Sequence, residues 1–234
     1  MDKPYKISYK TYFNEKLKQV QFGTKMTHPL YVQVTFERKT IFFKSNFFEL
    51  FSKTKFILAV AGLMGGPSLD KTIEMEMELI RFIADRHPDD FSLDIFKQEY
   101  AYYSRDLCDS MEEGFRDYLY TFFQDRGMPA FAVAIREGSR QRIAYDVIKD
   151  SKKAFTKPFY DELVGNSFYY APPYLPLYEF MQQTKNWPML YLTVMEWETG
   201  TTKTEFIEYL NKYYPEHDAV EIKEKIKRYI KSIK

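Results

Sequence analysis

From Pro29 to Phe47 the chain reads PLYVQVTFERKTIFFKSNF, and apolar and polar side chains alternate along it. Leu30, Val32, Val34 and Phe36 interleave with Tyr31, Gln33 and Thr35; beyond Glu37-Arg38-Lys39, Ile41 and Phe43 interleave with Thr40, Phe42 and Lys44. A period of two on either side of a short charged link predicts a β-hairpin. The same period runs from Tyr5 to Phe13, with Tyr5, Ile7, Tyr9, Thr11 and Phe13 on one face and Lys6, Ser8, Lys10 and Tyr12 on the other. Asn14 to His28 reads as a polar link, so the front of the chain is expected to form a three-stranded antiparallel sheet. Such a sheet needs a cover over its apolar face. Phe47 to Val60 is the candidate cover, as a helix or, through Phe56-Ile-Leu-Ala-Val60, as a further strand.

Beyond this point the period changes to that of helices. Gly62-Leu-Met-Gly-Gly-Pro67 is the strongest break in the chain and marks a boundary. A helix is predicted from Ser68, as N-cap, to Arg86, with Leu69, Ile73, Met77, Ile80 and Ala84 as its stripe; His87-Pro88 stops it. A second runs from Ser92 to about Asp109. A third starts at the capping box Ser110-Met-Glu-Glu113, carries the stripe Phe115, Tyr118, Leu119 and Phe122, and ends at Gly127. Pro129 to Arg136 and Ser139 to Phe155 read as two further helices parted by Glu137-Gly138. The proline-rich stretch Phe159 to Pro188 yields one helix, Leu177 to Thr184; Trp187 to Thr199 reads as helix in preference to buried strand. Thr202-Lys-Thr-Glu205 is a second capping box, opening a helix to Tyr213, and Asp218 to Ile233 is a last amphipathic helix. The expected fold class is α+β, mainly helical with a small N-terminal sheet. Its expected segments are a β unit at 1–62, a helical domain at 68–158, and a trihelical unit related to helix-turn-helix domains at 159–234.

Composition narrows the chemistry. A single cysteine, Cys108, allows neither a disulfide framework nor a four-cysteine metal site, which fits an intracellular setting. His28, His87 and His217 are isolated from one another, no Gly-Lys-Ser/Thr P-loop or G-x-S-x-G elbow occurs, and Cys108 has an acidic surround that disfavours a thiolate. The expectation is therefore a protein without metal, cofactor or catalytic constellation, and not an enzyme. No secretory leader is read at the front, and the longest uncharged run, Phe56 to Leu69, is too short and glycine-broken to span a bilayer. A cytoplasmic location, or a virion if phage-encoded, is expected, with no membrane partner. The aromatic content, 18%, is read mainly as core packing.

Net charge is only +1, but it is segregated. Residues 1–55 carry eleven Lys or Arg against four Asp or Glu, while 70–126 carry seven against fifteen. With residues 127–160 carrying seven Lys or Arg against three Asp or Glu, such segregation suits a protein whose first and third blocks meet a polyanion while the second does not, or blocks that attract one another. Lys6, Lys10, Arg38, Lys39 and Lys44 cluster on the predicted sheet, and Lys223, Lys227, Arg228 and Lys231 line the outer side of the last helix. These nine are the candidate DNA-contacting residues. The bland alternatives are lysines that protect sheet edges and cations that favour a helix C-terminus.

The stretch Pro29-Leu-Tyr-Val-Gln-Val-Thr-Phe-Glu-Arg-Lys-Thr-Ile-Phe-Phe-Lys-Ser45, followed by a helix, Phe91-Ser-Leu and Phe115-Arg-Asp-Tyr-Leu, resembles the front half of phage-type tyrosine recombinases (integrases) of Bacteroidota mobile elements. The resemblance covers about half the chain. It implies a sheet that binds arm-site DNA, with contacts from Arg38, Lys39 and Lys44, and then the start of a helical core-binding domain. The catalytic pattern of that family is missing: His28, His87 and His217 are followed three positions later by Tyr31, Asp90 and Val220, so no His-x-x-Arg occurs, and the stretch after residue 127 is short for a catalytic domain. The expected function is a non-catalytic DNA-binding or accessory protein of a bacterial or phage mobile element. The alternative is a structural or interaction protein, such as a virion or assembly component, that uses aromatic surface to bind protein partners or a second copy of itself.

Overall fold

The alternating stretches fold as strands and the rest of the chain is mainly helical. The computed structural model describes residues 6–57, 66–185 and 190–232, and the chain divides between Arg105 and Asp106 into two units. Tyr5, the break at 62–65, the continuation at 58–60, Trp187, Pro188 and Ile233 lie outside the described residues. Among the described residues there are twelve helices and five strands.

The first unit contains β1 (Ser8–Phe13), β2 (Val20–Phe22), β3 (Lys25–Thr27), β4 (Leu30–Phe36) and β5 (Lys39–Lys44), then α1 (Asn46–Phe51), α2 (Thr54–Ile57), α3 (Leu69–Arg86) and α4 (Leu93–Tyr103). β1, β4 and β5 form an antiparallel sheet in the order β1-β4-β5. Its register sets Thr11, Val32 and Phe43 in one row and Lys10, Gln33 and Phe42 in the next. Leu30, Val32 and Val34 are fully buried on the inner face. Phe43 meets Tyr100 edge-on at 4.6 Å, and Phe36 meets Phe91 at 4.9 Å. The link between β1 and β4, read as irregular, contains the hairpin β2–β3, turned at Gly23 in the left-handed region (φ 58°). Phe22 stacks on Phe48 of α1 at 4.9 Å. The cover after Ser45 is helical through Ile57.

α3 is capped by Ser68, whose hydroxyl accepts from Lys71 N–H at 3.2 Å, and ends at His87, as predicted. Its buried stripe is different: Thr72, Met75, Glu76, Leu79, Ile80 and Ile83 face the core, whereas Leu69, Ile73, Met77 and Ala84 are half-buried. A carboxylate sits in that stripe because its partners are other residues of this unit. The Ser45 hydroxyl donates to Glu76, Phe47 N–H lies 3.3 Å from its Oε1, and the Tyr100 hydroxyl reaches both oxygens. Tyr100 Oη also accepts from Asn46 N–H at 3.0 Å. Glu76 and Tyr100 thus serve the start of α1 from outside it.

Among its described residues the second unit is helical but for one bridge: α5 (Leu107–Asp125), α6 (Pro129–Gln141), α7 (Ala144–Ser151), α8 (Lys157–Tyr170), α9 (Tyr174–Thr184), α10 (Val194–Thr199), α11 (Thr202–Tyr213) and α12 (Ala219–Ser232). α5 starts earlier than its predicted capping box. Asp106 is the cap, its Oδ1 accepting from Asp109 N–H at 2.6 Å, and Ser110 lies inside the helix, donating to the Asp106 carbonyl at 2.7 Å. Correspondingly, α4 ends at Tyr103 and not at Asp109. Asp106 Oδ2 accepts from Leu192 N–H at 2.8 Å, and Asp106 bridges Thr193, so 192–193 is extended before α10 begins.

α6 continues through Glu137-Gly138, since one glycine costs a helix only about 1 kcal/mol. α8 was not anticipated; Pro158 sits in its first turn, where a missing N–H costs nothing. α9 is buried nearly all round by Tyr174, Leu175, Leu177, Tyr178, Phe180 and Met181. α11 lacks the predicted box: Thr201 precedes it, and its hydroxyl donates to Glu205. α12 turns Ile222, Ile226 and Ile230 inward.

A second buried carboxylate repeats the arrangement in this unit. Glu112 Oε1 accepts from Ala144 N–H at 2.7 Å and from the Tyr174 hydroxyl at 3.2 Å, while Tyr174 Oη accepts from Tyr145 N–H at 3.1 Å. α7, preceded by an Ile143 with no capping side chain, is capped this way from α5 and α9. Arg116 completes the cluster, 2.9 Å from Glu112 Oε2 and donating to the Ser139 carbonyl at 3.1 Å.

Candidate nucleic-acid interface

Because directly paired residues of antiparallel strands point to the same side, the register fixes what the outer face of the sheet displays. Its rows are Ser8–Thr35–Thr40, Lys10–Gln33–Phe42 and Tyr12–Tyr31–Lys44. Phe42 is 57% exposed, an uncommon setting for a large aromatic on a strand. Tyr12 and Tyr31 lie ring to ring with centroids 6.0 Å apart, and the Thr35 and Thr40 hydroxyls are 2.8 Å apart. The helices α3 and α4 contact β1 and β4, and the buried valines show that they cover the inner face.

At the end of this face the chain turns through Glu37 and Arg38, with φ of 49° and 63°. Two successive left-handed residues define the tight turn that matches strand twist, a place usually filled by Asn-Gly. Here two long charged side chains occupy it, at a cost of about 1 kcal/mol or more each. Both are exposed, as is Lys39 at the first position of β5.

The structure brings some of the sequence-predicted cations together. Lys10 and Lys44 share the outer face, with Arg38 and Lys39 at its tip; Lys6 is exposed just before β1. Lys44 is held by Glu49 of α1 at 2.9 Å. In the second unit, Arg228 and Lys231 are exposed, Lys223 is half-buried, and Lys227 lies 3.2 Å from Glu224. Their neighbour Lys225 instead donates to the Phe168 carbonyl at 2.8 Å. The α12 stripe is thus partly neutralised, while the turn cations have no ion pair among the described residues. Sequence reasoning had named the lysines of the outer face but not Tyr31, Gln33, Thr35, Thr40 and Phe42; the alternation itself marks them once the register is known.

The face is anchored where β5 leaves it. Ser45, fully buried, follows Lys44 and donates to Glu76. Burial pushes the Glu76 carboxyl up from 4.5 to about 7, against the hydrogen bonds from Ser45, Tyr100 and Phe47 that pull it down. The same burial and the adjacent Glu76 hold the Tyr100 phenol well above its ordinary range.

Among the described residues no group of three or more His, Cys, Asp or Glu is arranged to hold a metal, and no helix is long and apolar enough to cross a membrane. Cys108 is buried. Comparison of the chain with protein-family models, with curated proteins and with solved structures returns no match.

Proposed function

We propose that the protein is a non-catalytic DNA-binding or accessory factor, of the kind that bacterial or phage mobile elements use, and that the outer face of the β1-β4-β5 sheet is its DNA contact. The observation that carries this reading is the turn: Arg38 stands at φ 63° where glycine would be relaxed, beside Lys39 and at the end of a solvent-facing surface. Strain retained at an exposed position points to use of that side chain. In this reading Arg38, Lys39, Lys10 and Lys6 hold phosphates, while Gln33, Thr35, Thr40 and Phe42 face base edges and thymine methyl groups in a groove that accepts a small sheet. The resemblance to the arm-binding hairpin of tyrosine recombinases is in keeping with this reading and is part of the proposal. Lys44, paired with Glu49, contributes less, and α12 is a secondary contact through Arg228 and Lys231.

Binding of the full chain to duplex DNA at rising salt tests the proposal. Affinity falls linearly on a double-logarithmic plot, and Arg38→Ala with Lys39→Ala lowers both affinity and slope. Absence of salt-sensitive binding would overturn it. A second reading, a protein-contact role, is favoured by Tyr169 and Tyr170, which are 66% and 77% exposed on the last turn of α8. A stoichiometric self-association in light scattering, lost in Tyr169→Ala with Tyr170→Ala and unaffected by the turn variants, would support that reading instead.

A further inference from the structure

His87 ends α3 and precedes Pro88, and its side chain is 16% exposed. Nδ1 lies 3.0 Å from Asp90 Oδ1, in the loop that follows, and Nε2 lies 3.1 Å from Glu99 Oε2 on α4. The first contact is a hydrogen bond; the second is a close charge pair without well-directed geometry, and Nε2 and Oε2 make no other hydrogen bond among the described residues. A neutral imidazole has one ring proton. It can serve one carboxylate and must turn a lone pair toward the other, so two carboxylates on opposite nitrogens are matched only by the imidazolium.

The loop that His87 holds leads directly to the sheet. Phe91, 7% exposed, packs edge-on against Phe36, the last residue of β4 and the neighbour of Glu37 and Arg38. We propose that His87 is a proton-operated clamp: protonated, it ties the 88–91 loop to α4; deprotonated, it lets go of one carboxylate and loosens the support that Phe91 gives the turn carrying Arg38 and Lys39.

The charged groups facing the ring are Asp90 from the loop, Glu99 from α4, and Arg86 from α3, whose Nε is 3.8 Å from Glu99 Oε2. Arg86 opposes protonation, and the C-terminal end of α3 favours it. Burial lowers the affinity of His87 for its proton, and the two carboxylates outweigh burial, leaving it above the ordinary value of 6.5. The clamp therefore contributes fully below pH 6.5 and is lost as pH rises through the raised midpoint. This device goes beyond the DNA reading, because it is measured in the free protein whether or not that face binds DNA.

The test is a pH titration of the full chain by nuclear magnetic resonance, following the ring nitrogens of His87 and the backbone amides of Phe36 to Lys39 and Phe91. The expected result is a midpoint above 6.5, both ring N–H groups present below it, and amide shifts that move with the same midpoint. Glu99→Gln should lower the midpoint, and His87→Gln should abolish the amide titration with the fold retained by circular dichroism. Should His87→Gln fail to fold, Glu99→Gln alone decides. A midpoint at or below 6.5, turn amides that stay still through it, or amide titration that persists in His87→Gln would overturn the proposal.

Discussion

The Tyr100 hydroxyl lies 2.9 and 2.8 Å from the two carboxyl oxygens of Glu76, on a carboxyl group with no exposed surface. Since the same hydroxyl accepts from Asn46 N–H, its loss leaves the buried Glu76 Oε2 and a half-buried N–H without that partner together. Tyr100→Phe is expected to cost about 2 to 3 kcal/mol in urea unfolding, more than a surface hydrogen bond.

Glu76 also ties stability to pH. Its carboxyl is held at about 7 when folded, against 4.5 as the ordinary value. Below pH 4.5 both states carry the proton. Between 4.5 and 7 the unfolded state loses it first, so stability falls across that window by about 3 kcal/mol and then levels off. The difference between the wild-type and Glu76→Gln stability curves isolates this contribution. Parallel curves from pH 4 to 8 would contradict it.

At the turn, stability and binding should part company. Arg38→Gly relieves a left-handed arginine and is expected to raise stability by about 1 kcal/mol, while weakening the DNA binding proposed for this face. Phe42→Ala, on the outer face, should reduce DNA affinity with the salt slope unchanged, because it removes no charge. Thermal melts and a salt titration of each variant check both statements.

In the second unit, Glu112→Ala removes the buried one of the two carboxylates that Arg116 pairs with, leaving it Glu113 at 2.9 Å, and leaves Ala144 N–H and the Tyr174 hydroxyl without their acceptor. The expected loss is about 2 to 3 kcal/mol, chiefly from the stranded donors. Glu112→Gln keeps an acceptor for Ala144 and should lose less, with the ordering read from urea midpoints.

Glycines in helices offer an internal contrast. A Cβ at Gly114 would meet Pro172 Cγ at 2.8 Å, whereas Gly138 and Gly165 have open space around that position. Gly138→Ala and Gly165→Ala should each stabilise by up to about 1 kcal/mol, and Gly114→Ala should destabilise by about 1 to 3 because its clash exceeds the gain in propensity.

Strands and long helices were legible because burial on one side leaves a period in the sequence. The hairpin β4–β5 emerged with its turn in place, and so did α3, with Ser68 and His87 at its ends. What failed was local signals that tertiary partners override. Ser110-Met-Glu-Glu113 has the form of a cap, but Asp106 had already started the helix because its second oxygen is needed by Leu192. Glu112 reads as part of that capping box and Glu76 carries no local signal at all; their hydroxyl and amide partners lie 24 to 62 residues away. For the candidate interface, the lysines were visible as charge, but the outer face they share with Phe42 and Gln33 required the strand register.

The two contacts of α5 with the far end of its unit set an order of assembly. Asp106 accepts from Leu192 N–H across 86 residues, and Tyr229 donates to the Ser110 carbonyl across 119. Ring closures of that span are slow and entropically costly. A nascent chain would carry its α5 amino end unfinished on the ribosome until residue 229 had emerged, which makes loss of α12 a threat to the unit's first helix as well as its last.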